Sequence, residues 1–208
     1  MEEYLVPSKD AITEFTERRS RFIGHIWVTD TEAEALERIK AMREQHWDAT
    51  HNVYAYIIKD GATRYSDDGE PQGTAGMPVL EVLRREGLNN VCCVVTRYFG
   101  GILLGAGGLV RAYAKSAKDA VDAAGISVKR IWNRIEIACP YNLYERISRE
   151  TAVFEGITDD TQFGADVCMT VLLPAKNTQA FLTRLADLSG GTVTGSILNE
   201  EYRAFPIK

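Results

Sequence analysis

Two segments of the chain bring together residue types that could hold phosphate. The first runs Ser66-Asp67-Asp68-Gly69-Glu70-Pro71-Gln72-Gly73-Thr74-Ala75-Gly76. Asp67, Asp68 and Glu70 could supply oxygens to Mg²⁺, which commonly takes one or two carboxylates and completes its shell with phosphate and water. An EF-hand is excluded, because the ligands do not fall at alternate positions with a closing Glu. The competing reading is a turn: Asp68-Gly69 bends the chain, Asp67 accepts from nearby N–H groups, and Thr74 with Gly73 and Gly76 caps the helix that follows. The second segment runs from Arg97 to Tyr113 and sets Gly100, Gly101, Gly105, Gly107 and Gly108 between an apolar strand and a helix. Gly105, Gly107 and Gly108 are expected to precede the helix, where free N–H groups and the helix dipole favour an anion. Arg97 and Arg111 could add charge-assisted bonds to a phosphate. Lys115 and Lys118 extend Arg111 into a one-sided basic stripe, either a solvated face or a local RNA contact. Close packing of loop and helix on the sheet, with no ligand, competes with all of this.

Other chemistries find no support. Gly105-Ala106-Gly107-Gly108-Leu109-Val110 lacks the last glycine of a dinucleotide fingerprint, and no Gly-Lys-Ser/Thr follows as a phosphate-binding loop of the Walker type demands. No cofactor is expected. The histidines, His25, His46 and His51, have no metal-ligand spacing. His51 near Asp48 could be tuned as a base, yet no nucleophile accompanies it. Cys92, Cys93, Cys139 and Cys168 form no CxxC pair and read as buried apolar side chains, so neither zinc nor a dithiol is indicated, and no metal site is expected beyond the weak candidates Asp67 and Asp68. Among the aromatics, Tyr54, Tyr56, Tyr65, Tyr98, Phe99 and Tyr113 read mainly as core, with stacking platforms for bases as the competing use.

Composition bounds the partners. The 208 residues, 45% hydrophobic and 25% charged, suit one or two folded domains. Net charge is -5, with the acidic excess spread over both halves, so any RNA contact must use a local basic patch. The absence of a long apolar run or a secretory-type start points to a cytoplasmic protein with no membrane contact. Oligomeric state leaves no mark on the sequence.

The elements that must position the two segments follow from periodicity. Residues 20–30 read as a strand. Thr31 to Glu34 is a capping-box candidate opening a helix with Ala35, Leu36, Ile39 and Met42 on one face. Residues 51–58 form a second strand, 77–86 a helix, and 91–96 an apolar strand buried on both faces. The helix over 108–124 is expected to bury Val110, Ala114, Ala117, Val121 and Ala124. A linker is placed between Ala124 and Trp132, dividing the chain into residues 1–130 and 131–208. The second part reads strand 134–139, helix 142–151, strand 157–163, strand 165–173, helix 177–188 and strand 193–202, a ferredoxin-like βαββαβ order, with Phe181, Leu185 and Leu188 facing the sheet.

Ser20-Arg21-Phe22-Ile23, His51 to Tyr56, Ser66 to Pro71 with Gly73-Thr74-Ala75-Gly76, and above all Arg97-Tyr98-Phe99-Gly100-Gly101 through Tyr113 resemble the IMPACT family, best its bacterial YigZ-like branch. The resemblance implies an α+β fold: a first domain like the second domain of ribosomal protein S5, and a second like domain V of the translocation elongation factor. It further implies a translation-linked protein that binds RNA or the ribosome, with no established enzymatic activity. Eukaryotic members carry an extra N-terminal domain through which they interfere with activation of a starvation kinase. The present sequence opens directly on the shared domain.

The leading expectation is thus a translation regulator contacting RNA or ribosomes through Arg97, Gly105, Gly107, Gly108, Arg111, Lys115 and Lys118. The alternatives are an enzyme on a phosphorylated small molecule with Mg²⁺ at the acidic loop, and an adaptor for protein partners.

Overall fold

A computed structural model describes residues 3–207. The fold is mixed α+β with two antiparallel sheets, in two compact units. Tyr4–Val128 with the last residues from Ala204 forms one, and Lys129–Arg203 with Glu3 the other.

In the first unit, β1 (Tyr4–Pro7), β2 (Ala11–Glu17), β3 (Ser20–Val28), β4 (His51–Ile57), β5 (Thr63–Ser66) and β6 (Val91–Tyr98) accompany α1 (Glu32–Gln45), α2 (Gly76–Arg85) and α3 (Ala106–Ala124). The sheet order is β2-β3-β6-β4-β5. Strand β6 lies at its centre, and successive side chains point to opposite faces. Cys93 and Val95 pack with α2 and α3, while Cys92 and Val94 pack with α1. That is why a continuous apolar run, rather than an alternating one, encodes this strand. Burial pushes the Cys93 thiol up to about 12 and raises that of Cys92 as well, so neither is a nucleophile.

Helix α1 starts as its sequence dictates: Thr31 Oγ1 accepts from Glu34 N–H, and Glu34 reaches back to the Thr31 N–H. Its buried face is Ala35, Ile39 and Met42, with Leu36 half exposed instead. Helix α2 is capped from a distance. Thr74 does not cap it, since its hydroxyl donates to the Pro71 carbonyl. Asp67 does so, its carboxylate accepting from Gly73, Ala75 and Gly76 N–H. Helix α3 begins at Ala106, so Gly107 and Gly108 lie inside its first turn rather than ahead of it. Its buried face is Leu109, Ala112, Tyr113, Ser116, Ala117, Ala120, Val121 and Ala124. Ala117, Val121 and Ala124 are buried as expected, whereas Val110 is exposed and Ala114 half buried, since Leu109, Ala112 and Tyr113 fill the buried face of the first turns.

The expected linker is a strand. β7 (Ile126–Cys139) runs unbroken through the boundary between the units. Lys129 and Arg130 are tolerated in it; Arg130 ion-pairs with Glu155 at 3.0 Å and stacks 4.7 Å over Trp132. The second unit continues with α4 (Tyr141–Val153), β8 (Ile157–Phe163), β9 (Val167–Pro174), α5 (Ala175–Ser189) and β10 (Gly195–Pro206), which gives the βαββαβ order. β7 lies between β9 and β10, with β8 outside β9. Phe181 and Leu185 are buried in this core and Leu188 packs against it. Cys168 is only half buried. The sheet face opposite that core carries the laterally paired rows Glu136, Thr170, Asp160 and Ala138, Cys168, Gln162. Glu136 and Asp160 place two carboxylates in those rows.

Candidate functional site

Strand β6 ends by delivering Arg97 to the point where the two polar loops converge. The buried Arg97 guanidinium donates from Nη1 to Glu70 Oε1 at 2.6 Å and from Nη2 to Ser20 Oγ at 3.2 Å. It lies between two rings, 5.5 Å from the Phe22 centroid and 5.4 Å from that of Phe99. Its Nε–H has no acceptor. Glu70 also accepts from the Tyr113 hydroxyl at 2.8 Å, whose ionisation is suppressed by burial and by the Glu70 charge. His51 Nε2 stands 3.7 Å from the same Glu70 oxygen. His51 Nδ1 lies 2.8 Å from the Asp68 carbonyl. A carbonyl only accepts, so Nδ1 carries a proton. The neighbours of His51 are therefore Asp68 and Glu70, not Asp48.

The acidic loop spends its carboxylates internally. Asp67 caps α2, and Asp68 accepts from Asn52 N–H at 2.7 Å and from Arg43 at 2.9 Å. Among the described residues no cluster of three or more His, Cys, Asp or Glu could hold a metal ion. The loop is a brace, built from the turn chemistry that Asp and Gly favour.

The glycine segment is held against the tip of the β2–β3 hairpin. A Cβ on Gly100 would lie 2.0 Å from the Arg19 carbonyl oxygen, so only glycine permits that approach. Gly105, at φ 70°, precedes α3 without a side-chain cap, and no carboxylate stands in the first turn. The Leu109 N–H is the first to find an intrahelical acceptor, Gly105 O, which leaves the N–H groups of Ala106, Gly107 and Gly108 free of the helix ladder. Arg111 turns back over that turn: its Nη1 lies 3.5 Å from where a Gly107 Cβ would be. Arg111 and Arg19 pair with no carboxylate among the described residues, whereas Lys115 pairs with Asp119, and Lys118 with Asp122 at 2.6 Å and Glu86 at 3.0 Å.

These parts surround a mostly apolar cleft of about 350 Å³, lined by His51, Glu70 and Arg97 and by Phe99, Leu104 and Leu109. The acidic and glycine loops thus meet in one hollow. Leu104 also lines a neighbouring hollow of about 150 Å³ with Arg18, Arg111 and Lys115. Arg18 and Arg19 went unnoticed in the sequence because the turn that presents them holds two arginines at φ 44° and 66°, with no Gly or Asn to mark it.

The sequence of the first unit matches the Impact N-terminal domain over residues 18–121, and residues 137–192 match a domain of unknown function, DUF1949. The chain is 39% identical over 175 residues to the IMPACT family member YvyE of Bacillus subtilis, covering 83% of this chain and 81% of that protein. The chain belongs to the IMPACT family. Within that family it is also 34% identical to the member YigZ of Escherichia coli, over 93% of this chain and 97% of that one. A crystal structure described only as that of a hypothetical protein aligns at a TM-score of 0.60 and 32% identity, covering 96% of this chain and 98% of its own. The IMPACT-matching stretch contains the hairpin tip, both loops and most of α3, and every group lining the cleft falls inside it. No helix among the described residues is long and apolar enough to cross a membrane.

Proposed function

We propose that this IMPACT-family chain is a cytoplasmic, translation-associated regulatory protein that acts by binding the phosphate backbone of RNA, on the ribosome or free, through its first unit. One observation carries the reading. The Arg111 guanidinium lies over an uncapped helix start and has no carboxylate partner among the described residues. An unpaired cation beside free N–H groups at a positive helix end is an anion site by charge and by hydrogen-bond supply. Arg18 and Arg19 extend the positive charge toward the hairpin tip. Lys115 and Lys118, spent on neighbouring carboxylates, contribute less. Arg97 supports the cleft wall rather than the backbone contact, because its charge is met by Glu70.

The test is co-sedimentation with ribosomes and with single-stranded RNA at about 50 mM and about 200 mM salt. Binding that weakens with salt and is lost in Arg111→Glu supports the reading. No association at either salt, or binding that Arg111→Glu leaves intact, ends it.

A further inference from the structure

We propose that the cleft between the acidic and glycine loops takes one nucleotide unit, with its base inside the cleft and its phosphate on the first turn of α3. The inference rests on the phosphate-binding reading above and names what lies beside that phosphate.

The cleft has the size of a small-molecule site, about 350 Å³. Its walls suit a flat apolar body: Phe99, 44% exposed, stands there with Leu104 and Leu109. Its polar side chains are Thr50, His51, Glu70 and Arg97. Arg97 is 4% exposed and keeps an Nε–H without an acceptor. His51 Nε2 stands 3.7 Å from Glu70 Oε1, and its Nδ1 is committed to the Asp68 carbonyl. Polar side chains among apolar walls are what a nucleobase, apolar on its face and polar at its edge, matches, whereas a plain hydrocarbon would leave them unmet. Gly105 and Ala106 line the same cleft, so the free N–H groups of α3 and the Arg111 guanidinium adjoin it. Leu104 borders both this cleft and the basic hollow of Arg18 and Arg111, which places cationic side chains beside the cleft. A planar heterocycle with a polar edge, joined to a phosphate, fits the apolar cleft and the cationic groups beside it.

The nucleotide could come from single-stranded RNA or from the free pool, and one experiment separates the two. The full chain is titrated with a labelled single-stranded oligoribonucleotide, with the same strand carrying abasic sites, and with AMP followed by thermal shift. The intact strand should bind wild type about tenfold or more tighter than the abasic strand does, the scale of one base-aromatic stack. Phe99→Ala should abolish that difference, and Leu104→Trp, which fills the cleft, should do the same while circular dichroism shows it folded. Equal binding of intact and abasic strands, or an unchanged preference in folded Leu104→Trp, overturns the base site while leaving phosphate binding standing. If AMP raises the melting temperature but neither strand binds, the nucleotide site stands and the RNA-binding function falls. If neither AMP nor RNA binds, both fall.

Discussion

Arg97 and Glu70 form an ion pair at 2.6 Å in which neither side chain is more than 5% exposed. Water cannot solvate either charge there, so the pair depends on the bonds that complete it, from Tyr113 to Glu70 and from Arg97 to Ser20. Glu70 comes from the acidic loop and Arg97 from β6. The pair therefore fastens that loop to the sheet and makes one wall of the cleft.

Removing one partner strands the other charge in the interior. Arg97→Met and Glu70→Leu should each cost about 3 to 5 kcal/mol, and the double variant less than their sum. Urea unfolding of the four proteins measures this cycle. Additive losses would show that the two side chains do not stabilise one another.

Two glycines in the same segment should respond oppositely to alanine. Gly100→Ala drives a methyl to within 2.0 Å of the Arg19 carbonyl, a backbone atom that cannot swing aside. Its melting temperature should fall sharply, with a loss of about 2 kcal/mol or more. Gly107→Ala meets only the flexible end of Arg111 at 3.5 Å, and alanine favours a helix by up to about 1 kcal/mol over glycine. It should be neutral or slightly stabilising.

Much of this arrangement is legible in the sequence, and the legible part is the local part. The Thr31 and Glu34 capping box, the two-sided burial of β6 and the Phe181, Leu185, Leu188 stripe each follow from spacings within one element. What stays hidden is pairing between distant residues. Nothing near Glu70 announces that it will meet Arg97, 27 residues on, and Tyr113, 43 residues on. Nor does Asp67 announce that it will cap α2 from across its own loop. The α3 stripe is read correctly at Ala117, Val121 and Ala124 and missed at Val110 and Ala114, because alanines and valines recur on both sides of the buried face. That the stretch between the units continues as strand β7 is hidden because Lys129 and Arg130 interrupt its apolar pattern; Arg130 has Glu155 and Trp132 as partners.

Asp67 caps α2 through three backbone N–H groups. Asp67→Ala removes the acceptor for Gly73, Ala75 and Gly76 N–H, and should cost about 1 to 2 kcal/mol. Adding MgCl₂ or EDTA to wild type should leave the melting temperature where it is. A Mg²⁺-dependent rise that disappears in Asp67→Ala would restore the metal reading.

His25 should make the first unit acid-sensitive. It is buried, stacked 5.4 Å from Trp27 and 5.8 Å from the His46 ring, with no partner for Nε2. Burial, aided by His46, pushes it down to about 4 from its ordinary 6.5. The fold thus favours the neutral ring, and the stability it holds above pH 6.5 declines as pH falls toward 4, by about 3 kcal/mol in all. His25→Phe keeps a ring on Trp27 and should lose this share of the pH dependence between those limits. Parallel stability profiles for variant and wild type would refute it.

The central claim is that the Arg111 guanidinium and the start of α3 hold a phosphate of RNA. Fluorescence anisotropy of a labelled single-stranded RNA, titrated across a salt series with wild type and Arg111→Glu, tests it most directly. Wild-type affinity should fall as salt rises, and Arg111→Glu should bind at least about tenfold more weakly with a shallower salt slope, by roughly 0.7 per lost phosphate contact on a single strand. Identical affinity and slope in the two folded proteins, or no binding by wild type at the lowest salt, would contradict it.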